Sequence, residues 1–210
     1  MKKVATILAN GFEEIEALTI VDVLRRAGID CDLVGMEETV TGSHQITVEV
    51  DRLWNGDLSD YDGIFLPGGM PGAANLRDNP ELIAALQEES RKGKIISAIC
   101  AAPIVLARAG LLKDKNYTCY DGFEEEIQDG HYQKETVVKD GNLLTSRGPV
   151  SYTHLYYVET TAPKYVKQVS ADAKKIEGVS EVKDGGVDTQ RLFALEMCIR
   201  DRLRWAFSSF

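Results

Sequence analysis

Apolar residues recur in two arrangements over the first 149 positions. Short, mostly apolar runs at 4–9, 31–34, 63–66 and 94–99 suit buried strands. Between them the spacing changes. Ile15, Leu18, Ile20, Val21, Val23, Leu24 and Ala27 fall at helical intervals, and Gly28 stands where a helix ends. Asn79-Pro80 starts a second helix, the asparagine as cap and the proline at the first helical position, running to about Lys92. A third is expected over 101–109. Positions 46–50 alternate like a sheet edge, and 136–146 reads as two strands around an Asp140-Gly141 turn. Strands alternating with helices predict an α/β fold, a mostly parallel sheet with helices on both faces. Sites in such sheets form outside the carboxyl ends of the strands.

The tail reads differently. Up to Pro149 the chain carries 15 basic and 25 acidic residues, whereas 150–210 carries 9 and 8. One amphipathic helix is expected over 165–176, and the rest of the tail has no clear period. Two domains of unequal standing are therefore predicted: 1–149 as the α/β unit and 150–210 as an unmatched tail.

Charge and composition narrow the function. The whole chain of 210 residues has 24 basic and 33 acidic side chains, which argues against a nucleic-acid surface. No apolar run approaches the roughly 20 residues of a membrane span. The N-terminal run reaches Asn10-Gly11 and acidic residues too soon for a secretory signal, so a cytoplasmic protein is expected. Cys31, Cys100, Cys119 and Cys198 form no CxxC pair, and no histidine stands near them at zinc-ligand spacing. They read as thiols. No metal or cofactor is expected.

Three stretches follow buried strands and carry candidate chemistry. In Ile99-Cys100-Ala101-Ala102-Pro103 a strand ends, a cysteine follows and a helix starts at once, the layout of a nucleophile elbow. A helix N-terminus there would lower the thiol pKa. A buried structural cysteine fits the same local sequence. Leu66-Pro67-Gly68-Gly69 permits a sharp turn whose N–H groups would hold an oxyanion, and equally a plain loop. After the first strand, Glu13 and Glu14 are explained by the helix dipole alone. Glu16 lies beside the apolar stripe. Pointing inward, it would be desolvated, stay protonated, and shuttle a proton to a thiolate.

Together these segments resemble the ThiJ/PfpI family, and within it the DJ-one branch. The resemblance is carried by Ala9-Asn10-Gly11-Phe12-Glu13-Glu14-Ile15-Glu16, Asp22-Val23-Leu24-Arg25-Arg26-Ala27-Gly28, Leu66-Pro67-Gly68-Gly69, Ala98-Ile99-Cys100-Ala101-Ala102-Pro103 and Leu144-Thr145-Ser146-Arg147-Gly148-Pro149. It implies a flavodoxin-like sandwich related to class I glutamine amidotransferase domains. It implies Cys100 as nucleophile, Glu16 as its protonated partner, and the backbone N–H groups of Gly69 and Ala101 as an oxyanion pocket. It implies a homodimer in which His44, where the animal proteins carry arginine, reaches the partner's site, with Arg26 a further polar residue near the pocket.

Two departures are informative. The protease-like branch has a histidine directly after its cysteine, where Ala101 stands here, so a peptidase is not expected. Tyr120 stands where the animal proteins carry a histidine. The activity implied is cofactor-independent glyoxalase III or deglycase chemistry on methylglyoxal, glyoxal or early glycation adducts. The competing reading is a redox sensor or chaperone whose Cys100 is oxidised to sulfinate. In the family, Ser-Arg-Gly-Pro leads into a final helix of small and apolar residues. Here Ser151-Tyr152-Thr153-His154-Leu155 follows and Met197-Cys198-Ile199-Arg200-Asp201-Arg202 comes later, both resembling peptides translated from sequencing-adapter sequence. The tail is therefore expected to be foreign to the domain.

Overall fold

The structure is a computed structural model that describes residues 2–148. The expectations for 150–210, including the helix over 165–176, the foreign tail and the thiol of Cys198, lie outside the described residues.

The apolar runs become a seven-stranded sheet. In chain order the elements are β1 (Lys3–Leu8), α1 (Glu14–Arg26), β2 (Asp30–Gly35), β3 (Thr39–Thr41), β4 (Thr47–Glu49), β5 (Arg52–Leu53), β6 (Gly63–Leu66), α2 (Gly72–Arg77), α3 (Pro80–Arg91), β7 (Ile95–Ile99), α4 (Pro103–Arg108), β8 (Asn116–Tyr117), a 3-10 turn (Phe123–Glu126), β9 (His131–Tyr132), β10 (Val137–Asp140) and β11 (Leu143–Ser146). The sheet order is β10-β11-β7-β6-β1-β2-β5, with only the β10–β11 pair antiparallel. This is the mostly parallel, flavodoxin-like and class I glutamine amidotransferase-like α/β fold. Its central strands are buried along nearly their whole length, which is why they read as mostly apolar runs rather than alternating ones.

The chain leaves β1 for β2 on one side and returns to β6 on the other, so the strand order reverses beside β1. The segments that follow β1, β6 and β7 therefore meet at one end of the sheet. Residues from these strands and from α2, α3 and α4, including Ile7, Ile64, Leu66, Leu76, Leu86, Ile96, Ile104 and Leu106, form one core that fixes those three ends relative to one another. A buried leucine cut back to alanine in such a core costs about 2–5 kcal/mol.

Some local signals acted as written in the sequence. Asn79 accepts hydrogen bonds from the N–H groups of Glu81 and Leu82, and Pro80 opens α3. Others were overruled by tertiary structure. The stretch expected as a sheet edge at 46–50 is β4, which pairs only with β3 in a separate hairpin. The helix after Cys100 starts later and is shorter than expected, since Ala101 and Ala102 form a turn before Pro103. Cys119 lies in the buried loop after β8. Among the described residues, no helix is long and apolar enough to cross a membrane.

Candidate functional site

Cys100 sits directly after β7 with a φ of +59°, a left-handed conformation unusual for a residue with a side chain. Holding it costs of order 1–3 kcal/mol, so the surroundings must enforce it. They do so through its own backbone. The Cys100 N–H donates to the Ser146 carbonyl at 2.9 Å, and its carbonyl accepts from the Tyr120 N–H at 2.9 Å. This is the strained strand-end geometry of a nucleophile elbow.

The space around the thiol is made by residues without side chains. A methyl group added to Gly68 would lie 2.7 Å from Cys100 Cβ and 2.7 Å from Glu16 Oε2. One added to Gly148 would lie 2.7 Å from Cys100 Cβ and 3.0 Å from Glu16 Oε1. Glycine at both positions is what lets the carboxyl and the thiol meet.

Glu16 belongs to the first turns of α1 and points inward, being 1% exposed. Its Oε2 accepts the Gly68 N–H at 2.7 Å, its carboxyl is hydrogen-bonded with the Cys100 thiol, and Oε1 has no nitrogen or oxygen donor. Burial pushes its pKa up to about 7, against hydrogen bonds from Gly68 and Cys100 that favour the charge. The orphaned oxygen fits a carboxyl that keeps its proton and is itself a donor.

The reason given by the sequence for a reactive thiol needs correction. Burial raises the Cys100 thiol well above its ordinary value, and the Glu16 carboxylate charge adds to this. Only the backbone N–H groups of Ala101 and Gly69, both hydrogen-bonded to the sulfur, act the other way. The helix dipole contributes little, because α4 has six residues and begins three positions after Cys100. Thiolate therefore forms with Glu16 protonated: the repelling charge is gone and the carboxyl donates. The two N–H groups expected as an oxyanion pocket do converge on this cysteine.

His44 and Arg26 are placed elsewhere. His44, 70% exposed, is no idle loop residue of the β3–β4 connection. Its N–H donates to Glu14 Oε1 at 2.7 Å and its Nδ1 lies 3.0 Å from Glu14 Oε2. The hydrogen bond to Glu14, helped by the charges of Glu13 and Glu14, raises its pKa. Burial would raise the Glu14 pKa, but bonds from the His44 side chain and from backbone N–H groups win and hold it low. The helix dipole alone thus does not account for Glu14, which is buried and fastens the 41–46 loop to the start of α1. No local sequence signal marks that tie, since its partners are thirty residues apart. Arg26 lies on the last turn of α1, ten residues and about 15 Å of helical rise from Glu16. It is 74% exposed and pairs with Asp22 at 2.8 Å, so it does not line the Cys100 pocket of its own chain.

Among the described residues, Glu13, Glu14 and His44 form the one group with metal-ligand spacing. The Glu14 oxygens are already taken up by the loop N–H groups, Ser43 and His44. Tyr120, the residue in the place of the animal histidine, is partly exposed and stands edge-on to Phe123 with ring centroids 6.4 Å apart.

A strained cysteine at a sheet switch point, paired with a buried carboxyl and two backbone donors, defines a cysteine-centred α/β protein of the amidotransferase-like class. The model of the DJ-1/PfpI family matches residues 2–158. The chain belongs to that family. It is similar to Protein dj-1beta of Drosophila melanogaster, 34% identical over 189 residues that cover 88% of this chain and 96% of the relative. The crystal structure of that protein aligns with a TM-score of 0.69 at 38% identity, covering 71% of this chain and 83% of its own. Parkinson disease protein 7 homolog of Danio rerio is 36% identical over 159 residues, 70% of this chain and 82% of the relative. Oxidized Toxoplasma gondii DJ-1 aligns with a TM-score of 0.66 at 34% identity, covering 80% of this chain and 97% of its own.

Proposed function

We propose that the protein is a cofactor-independent, cysteine-dependent enzyme that converts small reactive dicarbonyls into hydroxy acids, glyoxalase III chemistry extending to early glycation adducts. The observation that carries this reading is the buried Glu16–Cys100 contact, with Glu16 titrating at about 7 beside a thiol that has two backbone donors. A catalytic acid and base near neutrality is what such a reaction needs.

The steps follow from the groups present. The Cys100 sulfur attacks the aldehyde carbon of methylglyoxal, forming a C–S bond. The aldehyde oxygen takes a proton from Glu16, giving a hemithioacetal. Glu16, now a carboxylate, removes the hydrogen on that carbon, and the resulting enediol is reprotonated on the neighbouring carbon. The product is a thioester of lactate. Water cleaves it, returning the thiol and releasing lactate. The net reaction adds one water and needs no external oxidant, since one carbon is oxidised as its neighbour is reduced. The Gly69 and Ala101 N–H groups favour negative charge first on sulfur and then on the adjacent oxygen.

A cytoplasmic homodimer that places His44 of one subunit near the partner's site belongs to this proposal. A second reading, reversible or terminal oxidation of Cys100 as a sensor, is favoured by one observation: Cys100 is partly exposed while Cys31 and Cys119 are buried. The oxidized state of the Toxoplasma gondii relative is in line with it. Reduced protein given glyoxal should yield glycolate in excess over protein. Stoichiometric modification of Cys100 without turnover would favour the sensor.

A further inference from the structure

Cys100 is gripped at both ends of its backbone, by Ser146 at the N–H and by Tyr120 at the carbonyl. The next residues along, Arg147 and Asp121, form an ion pair with Nη2 and Oδ2 2.5 Å apart. A ring thus closes around the strained nucleophile: Cys100 to Tyr120, on to Asp121, across to Arg147, back to Ser146 and to Cys100. The Cys100 carbonyl and the Ala101 N–H belong to one planar peptide unit. Fixing the carbonyl end therefore fixes the N–H end, and that N–H is hydrogen-bonded to the Cys100 sulfur. Gly148, which packs on Cys100 Cβ, is the other neighbour of Arg147.

We propose that the Arg147–Asp121 pair is a positioning clamp that orients the Cys100–Ala101 peptide plane and so aims the Ala101 N–H at the Cys100 sulfur. Neither side chain is a catalytic residue. The segment carrying Asp121 has other ties to the sheet. Thr118 donates its N–H to Thr145 Oγ1 at 2.9 Å, and Asn116 donates its own to Asp140 at 2.9 Å. Arg147 keeps its N–H bond to the Thr136 carbonyl at 3.1 Å, and the Tyr132 hydroxyl reaches Asp121 at 3.3 Å. Breaking the ion pair therefore loosens the Tyr120 and Gly148 ends of the ring while the strands stay paired.

The inference rests on reading Cys100 as the nucleophile, and its test reads the thiol directly rather than dicarbonyl turnover. The charged and titratable groups that bear on that thiol are Glu16 from α1, Glu13 through Glu16, and the clamp itself. Charge effects and positioning make opposite predictions for the two halves of the clamp. Losing the Arg147 cation disfavours thiolate, whereas losing the Asp121 anion favours it. Both losses release the same peptide plane.

The experiment is alkylation of Cys100 by iodoacetamide across pH in folded Arg147→Gln and Asp121→Asn variants. Both should slow alkylation by about two- to fivefold, the range a partly exposed ion pair supports, and both should move the pH midpoint upward. The charge-exchanged double variant, Asp121→Arg with Arg147→Asp, should recover most of the loss. Lactate formation by the same variants separates the two ideas, since slowed alkylation in a protein that never turned over dicarbonyl upholds the clamp alone. Opposite midpoint shifts in the two single variants, or unchanged alkylation in both, would overturn it.

Discussion

Glu16 and Cys100 share one buried hydrogen-bonded contact with opposite effects on the two: the thiol favours the Glu16 carboxylate, whereas that carboxylate makes the Cys100 thiolate harder to hold. Glu16 gives up its proton at about pH 7, while burial and the Glu16 charge keep the thiol protonated well above that. The catalytic reading and much of the pH behaviour follow from that relationship.

Replacing Glu16 with Gln should cut dicarbonyl turnover by about 10²–10⁴-fold, the contribution of a placed acid and base, while the fold survives. The variant should also change the pH dependence of stability. The folded pKa of Glu16, about 7, lies above the ordinary 4.5, so the native state holds a proton that the unfolded chain has released. The stability linked to this group is complete below pH 4.5 and is lost as pH rises to 7. Glu16→Gln removes that loss. Denaturation should find the variant level with the parent in acid and more stable at pH 8, by at most about 3 kcal/mol. A stability difference that does not change with pH would contradict the protonated carboxyl.

Limiting iodoacetamide at neutral pH should label Cys100 before Cys31 and Cys119. Those two are buried, whereas Cys100 is partly exposed and has Glu16 beside it to take its proton. Peptide mass mapping reads the order. Preferential labelling of either buried thiol would remove the case for Cys100.

Gly68→Ala should disable the site without touching an ionisable group. The added methyl would meet Cys100 Cβ and Glu16 Oε2, each at 2.7 Å, so one of them must move. Turnover should drop at least tenfold with a stability loss of about 1–3 kcal/mol. Full activity in this variant would mean that the thiol and carboxyl need not touch.

His44 should titrate above the ordinary histidine value, because Glu14 and Glu13 favour its charged form. Its hold on Glu14 is then strongest below the raised pKa and weakens as pH passes through it. Proton NMR of the imidazole reads the midpoint, and Glu14→Gln should lower it. An ordinary midpoint in the parent would mean that the 41–46 loop is not docked as described.

How far the sequence foretold this site depends on the range of each interaction. The buried strands, the cap at Asn79 and the turn at Cys100 follow from neighbours in the chain, and all were legible. The inward aim of Glu16 was legible from its place beside the apolar stripe of α1. The short α2 and the two-residue β5 have too few residues to show a period. Glu14 looked like a helix-dipole residue because its partners lie thirty positions away. The thiol's environment was misjudged for a related reason: whether α4 starts at Cys100 or three residues later is a matter of backbone geometry.

The most direct test of the account is lactate formation from methylglyoxal by freshly reduced full-length protein, beside Cys100→Ser and Cys119→Ser. Parent and Cys119→Ser should form many equivalents of lactate per chain, and Cys100→Ser none above buffer. Lactate formed equally by Cys100→Ser, or by none of the three, would contradict the assignment of Cys100 as a catalytic nucleophile.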